Sequence, residues 1–266
     1  MKFVLLCPIV VVAALLLAAC GKKEDAPTVE YIDEDGTITT DINAVDDGTV
    51  EFRMRGEGQI PEVAQAYHEQ ARMVAQTGDY AQAIDLLEKA ISNAPDWAYP
   101  HYDMAFTYLL INEQGRSLEK FRDVDNMEPE GFFTTKTAIW SLEKEVTGEF
   151  PAGLYLAYTM LEWEPEENKL MVVNQMVEKY PAFAPGWKEK ALQTEDFVER
   201  IDYIDKALSL NPDLETYGIL QVNKAVTLAL MERDKEAKEL LEALVVGDQS
   251  TKSTLAIAQE ALKNLD

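Results

Sequence analysis

Two stretches of this chain are copies of one another. Thr77–Pro95 aligns on Thr194–Pro212 without a gap, and eight of the 19 pairs are identical. A repeat of this size constrains the fold strongly, because so short a unit cannot bury its own apolar face and must stack on neighbours. Each copy carries the marks of a helical hairpin. Gly78 permits a turn, and Asp79 with Gln82, like Asp196 with Glu199, has the capping-box spacing that starts a second helix. Pro95, Pro129, Pro165 and Pro212 stand where second helices should end, since proline disfavours helix in the residue before it. Ala71, Ala83, Ala105 and Ser117 are small where paired helices must cross closely. The expected fold is all-α, a solenoid of stacked helix pairs.

The period supports that expectation. Tyr67, Ala71, Gly78, Tyr80, Ala83, Leu87, Ala90 and Pro95 are followed one 34-residue period later by His101, Met104, Ala105, Tyr108, Ser117, Phe121, Val124 and Pro129. This spacing resembles the tetratricopeptide repeat. A third unit is expected from Thr134 to Pro165 with Gly148-Glu149-Phe150 in its turn, a fourth from Ala184 to Pro212, and a fifth from about Gln221 to Val246 without a turn glycine. Glu167 to Tyr180 reads as a lone amphipathic helix that breaks the pairing, and Ser250 to Leu265 as a final helix covering the last apolar face. The whole predicts about twelve helices between residues 61 and 266.

The amino terminus bears on location. Met1-Lys2 precedes an apolar run, and Leu17-Ala18-Ala19-Cys20 closes it with small residues before a cysteine, as in a secretory signal. The stretch resembles the lipobox of bacterial lipoproteins. That resemblance implies removal of residues 1–19, acylation of Cys20 and a lasting membrane anchor, with Gly21 favouring the outer membrane facing the periplasm. An uncleaved membrane helix is the alternative, and Phe3 to Ala19, 17 residues, is at the short limit for one. Cys7 and Cys20 are the only cysteines, so the chain expected after cleavage has no disulfide or cysteine metal site.

Residues 20–60 read as an acidic, flexible tether. From Glu24 to Val50 there are nine acidic residues and no basic one, with Pro27, Gly36 and Gly48 interrupting any helical pattern. Val50, Phe52 and Met54 alternate with Glu51, Arg53 and Arg55, which predicts one short strand inside it. Asp33-Glu34-Asp35-Gly36 suggests a calcium loop, but that register places Tyr31 and Ile42 where carboxylates are needed. The formal net charge is −24, and −25 once Lys2 leaves with the signal, which argues against nucleic acid as a partner.

No motif for catalysis, a metal or a cofactor is present, and His68 and His101 are the only histidines. His101 falls on a packing position of the repeat. Binding is the better expectation: in tetratricopeptide proteins the first helices of successive units line a groove that holds a partner's peptide or helix. The matching positions are His68 and Arg72 in the first unit and Tyr99, Tyr102 and Phe106 in the second. The last three share one helical face. Such a stripe can be core or groove; Met104, Ala105 and Tyr108 already supply a packing face, which places the stripe on another side. The expected function is a membrane-anchored envelope scaffold or adaptor for a protein or peptide. A binder of a small ligand or glycan, using the same aromatics, is the alternative.

Overall fold

The computed structural model describes residues 60–247 and 250–265 together with three short strand segments nearer the amino terminus. Twelve α-helices make up the described folded part: α1 (Glu62–Gln76), α2 (Tyr80–Asn93), α3 (Ala98–Leu110), α4 (Gln114–Met127), α5 (Thr135–Val146), α6 (Leu154–Thr159), α7 (Glu166–Lys179), α8 (Ala184–Leu192), α9 (Phe197–Leu208), α10 (Leu214–Leu230), α11 (Asp234–Val246) and α12 (Lys252–Lys263). From α1 to α6 and from α7 to α12 each helix packs on the next, giving a tetratricopeptide-like α-α solenoid.

The local chemistry expected of the repeats is present. Asp79 accepts from the Gln82 backbone N–H at 3.1 Å, and Asp196 accepts from Val198 and Glu199 at 2.9 and 3.0 Å, so both second helices begin on a side-chain cap. Ala71, Ala83, Ala105 and Ser117 are all buried at helix crossings. Gly78 and Gly148 turn their hairpins with φ of 85° and 78°. Where glycine is missing, another residue adopts the left-handed conformation: Asn112 at φ 64° between α3 and α4, and Glu232 at φ 61° between α10 and α11. In both turns the next N–H reaches back five residues, Glu113 to the Tyr108 carbonyl and Arg233 to that of Leu228, closing a Schellman-type helix end.

Three expectations change. The second helix of the third unit, α6, has six residues followed by a 3-10 turn over Met160–Glu162. The segment read as a lone helix, α7, is part of the core: Val173 and Met176 pack with Leu142, Tyr155, Tyr158 and Phe183. Its exit resembles those of α2 and α4, since Tyr180 has φ −128° and ψ 68° against −147° and 76° at Ala94 and −126° and 67° at Glu128. The fifth unit starts at Leu214, earlier than its motif residues, because Asp213 caps α10 by accepting from Glu215 and Thr216 N–H groups at 3.0 Å.

The final helix covers the apolar end as expected, with Ala258, Leu262 and Leu265 against Leu228, Leu241 and Leu244. It also reaches back. The Lys252 N–H donates to the Glu130 carbonyl at 2.9 Å, and its ammonium lies 2.7 Å from the Glu130 carboxylate. The carboxyl-terminal units are thereby tied to the α4–α5 connection.

In the segment expected as tether, β1 (Glu30–Ile32) pairs antiparallel with both β2 (Ile38–Thr39) and β3 (Thr49–Glu51), in the order β2-β1-β3. The strand expected over residues 50–54 is present as β3, shorter and displaced toward Thr49, while β1 and β2 carry no alternation long enough to announce them. Cys20, the signal segment and the Asp33–Gly36 stretch lie outside the described residues. Among the described residues no helix is long and apolar enough to cross a membrane.

Candidate functional site

The five residues expected to bind a partner come together on α1 and α3, but not as an open groove wall. His68 is buried, its ring 4.8 Å from Trp97 and 6.3 Å from Tyr99. Its Nε2 lies 2.8 Å from Asp103 Oδ2, and Arg72 Nε approaches the same oxygen at 3.7 Å. Arg72 itself is largely exposed, with 66% of its side-chain surface open. Asp103 therefore ties the two first-unit residues to the second unit. Sequence reasoning missed it, although it shares a helical face with Tyr99, Tyr102 and Phe106.

The aromatic stripe lies on a different side of α3 from Met104, Ala105 and Tyr108, which are buried. The protein's own chain, however, covers much of the stripe. Phe132 and Phe133, in the connection after α4, sit against it: Tyr99 is 5.0 and 5.7 Å from the two rings, and Tyr102 is 5.5 and 5.2 Å away. Tyr102 also meets Phe121 edge-on at 5.5 Å, and its hydroxyl lies 3.0 Å from Thr134 Oγ1, which in turn lies 3.0 Å from the Tyr155 hydroxyl. Burial pushes the Tyr102 hydroxyl up to about 12. Tyr102 is thus held by packing, although it is half-buried like Tyr99 and Phe106. Edge-to-face ring contacts are favoured by the quadrupoles of the rings, and here they join Phe121 to Tyr155, Tyr158 to Phe183 and Phe183 to Phe150, with Tyr155 and Tyr158 stacked between.

What remains accessible is a rim. Phe133 is 42% exposed, and its backbone is held at φ 46°, in the left-handed region that a bulky side chain rarely occupies. Tyr99 and Phe106 are half-buried, and Arg72 stands beside them through Asp103. The rim mixes exposed aromatic surface with a guanidinium, the residue types that dominate interface energetics. A histidine–aspartate pair also occurs in nucleophilic sites, but here the third member is Arg72, not a nucleophile. His101 is buried, with Nε2 3.1 Å from the Pro95 carbonyl, and desolvation lowers its pKa. It packs, as its repeat position predicts.

Residues 64–96, which form α1, its turn and α2, match the tetratricopeptide repeat family. The repeat is real. Among solved structures, the TPR2AB domain of yeast Sti1 in its pHSP90 complex is similar at 16% identity over 77% of this chain and 84% of that one, with a TM-score of 0.36. YrrB, described as a TPR protein with an unusual peptide-binding site, matches at 14% identity over 75% and 92%, with a TM-score of 0.35. MamA from Desulfovibrio magneticus RS-1 matches at 16% identity over 70% and 94%, with a TM-score of 0.33. No curated protein sequence matches the chain. At such TM-scores the fold assignment rests on the helix pairs, caps and turns of this chain itself.

Proposed function

We propose that this protein is a lipid-anchored scaffold of the bacterial envelope, tethered through Cys20, that holds a protein or peptide partner against the rim of its first two repeat units. The observation that carries the reading is the exposed part of the stripe: Phe133 and Arg72 reach solvent beside Tyr99 and Phe106, while the rings behind them are fixed by packing. A rigid aromatic anchor on a packed base loses little side-chain freedom when it binds. The acidic surface disfavours anionic partners and leaves a neutral or basic segment as the suitable one.

A photo-activatable residue placed at position 133 in intact cells should cross-link one envelope protein, and placement at exposed position 230 on the distant α10 should not. Equal yields at both positions would move the binding site elsewhere. Cys20→Ser should abolish fatty-acid labelling and release from the leader; equal labelling of wild type and variant would end the anchor reading. A thermal shift with soluble glycans and no captured protein would favour the small-ligand alternative.

A further inference from the structure

One contact reaches well beyond neighbouring helices. α10 meets not only α8 but also α5. The contact is made by buried polar groups. Thr137 on α5 faces Asp213 and Glu215 at the start of α10: its Oγ1 lies 3.1 Å from Asp213 Oδ1, 3.2 Å from Glu215 Oε2 and 3.3 Å from Thr216 Oγ1, and its N–H donates to Glu215 Oε2 at 3.3 Å. Both carboxyl groups are more than nine-tenths buried, and Asp213 Oδ2 has no partner.

Counting hydrogens shows what the contact needs. Thr137 Oγ1 carries one hydrogen and can donate it to only one of two carboxyl oxygens. With both acids ionised, one of these short contacts sets oxygen against oxygen, and two like charges share a desolvated site. With a proton on Glu215, its O–H can donate to Thr137 Oγ1 while Thr137 donates to Asp213 Oδ1, and every close contact holds a hydrogen.

We propose that Asp213 and Glu215 form a proton-operated latch, in which protonated Glu215 fastens α10 to α5 and loss of that proton loosens this contact. The groups facing Glu215 fit this role. They are Asp213 on its own helix, Tyr102 on α3, Tyr155 on α6 and Lys188 on α8, while α5 presents the neutral Thr137. Burial first, then the neighbouring Asp213 carboxyl, pushes Glu215 up to about 8. Burial raises both tyrosines, and Lys188, held by Glu189 and Tyr158, is raised as well, so Glu215 releases its proton before they do. In the unfolded chain a glutamate loses its proton near 4.3. Between that value and about 8 the folded protein binds the extra proton, so this group's contribution to stability falls as pH rises and levels off above about 8.

Hydrogen-exchange protection factors of the full chain, corrected for intrinsic rates, test the latch at pH 6.5 and pH 9. Protection of Thr137–Ser141 and Leu214–Gly218 should drop by about thirtyfold, the order set by the roughly 1.5 pH units of linkage between pH 6.5 and the midpoint of about 8, while α1 and α2 remain unchanged. Glu215→Gln should keep its protection at both values. Unchanged protection in the wild type, or an equal drop in Glu215→Gln, would overturn the proposal. If Glu215→Gln fails to fold, Asp213→Asn decides: it keeps a capping oxygen and removes the facing charge, so the loss should move to lower pH, and an unmoved midpoint would reject the latch.

Discussion

The first and third units begin alike and end differently. Thr77-Gly78-Asp79-Tyr80 and Thr147-Gly148-Glu149-Phe150 make similar turns, with the C-capping threonines at φ −88°, ψ −2° and φ −80°, ψ −7°. In the first unit a fourteen-residue second helix follows at once, capped by Asp79. In the third, Pro151 and the left-handed Gly153 delay the second helix, which then lasts six residues. Its cap comes from the preceding helix: Glu145, buried on α5, accepts from the Gly153 and Tyr155 N–H groups at 2.7 and 2.6 Å. The space beside so short a helix is filled by Tyr155, Tyr158, Phe150 and Phe183 and by α7. A turn motif can therefore start a unit without determining its second helix, whose length follows from what packs there.

The contrast can be broken by mutation. The largest expected effect is at Tyr155, fully buried in the third unit, where Tyr155→Ala should cost about 3 to 5 kcal/mol in denaturant unfolding. A loss below about 1 kcal/mol would show that α7 does not depend on that ring. The two caps give the sharpest comparison. Glu145→Ala strands one buried and one half-buried N–H group and should cost about 2 to 4 kcal/mol, whereas Asp79→Ala, exposed on an ordinary cap, should cost about 1 kcal/mol. Equal losses would erase the distinction between the units.

Closure at the carboxyl end should give an intermediate effect. A Cβ on Gly218 of α10 would lie 2.7 Å from Thr254 Oγ1 on α12, so Gly218→Ala should cost about 1 to 3 kcal/mol as α12 is pushed away. A neutral result would mean that the capping helix sits loosely. The smallest effect has the opposite sign. Glu232 holds a left-handed turn that Gly78 makes without a side chain, so Glu232→Gly should stabilise by about 0.5 to 1 kcal/mol. A Tm that fell would refute the strain assigned to that turn.

The repeat, its turns and its caps were legible in the sequence because each is local: a carboxylate three residues before an N–H, a glycine at a left-handed position, a proline after a helix. The same locality placed the aromatic stripe on its own side of α3. Whether that side is open depends on Phe132 and Phe133, which arrive from the connection after α4 and close over Tyr99 and Tyr102. No spacing announces such a contact, although two adjacent phenylalanines after a glycine mark a place to look. Asp213 and Glu215 are distant from Thr137 in sequence, yet they are buried together against it. Sequence by itself determined most of the helices and, outside α6 and α7, their pairing, since those depend on neighbours within a turn or two. Tertiary structure alone decided which polar and aromatic faces meet across the solenoid, because that depends on how several small rotations between stacked units add up.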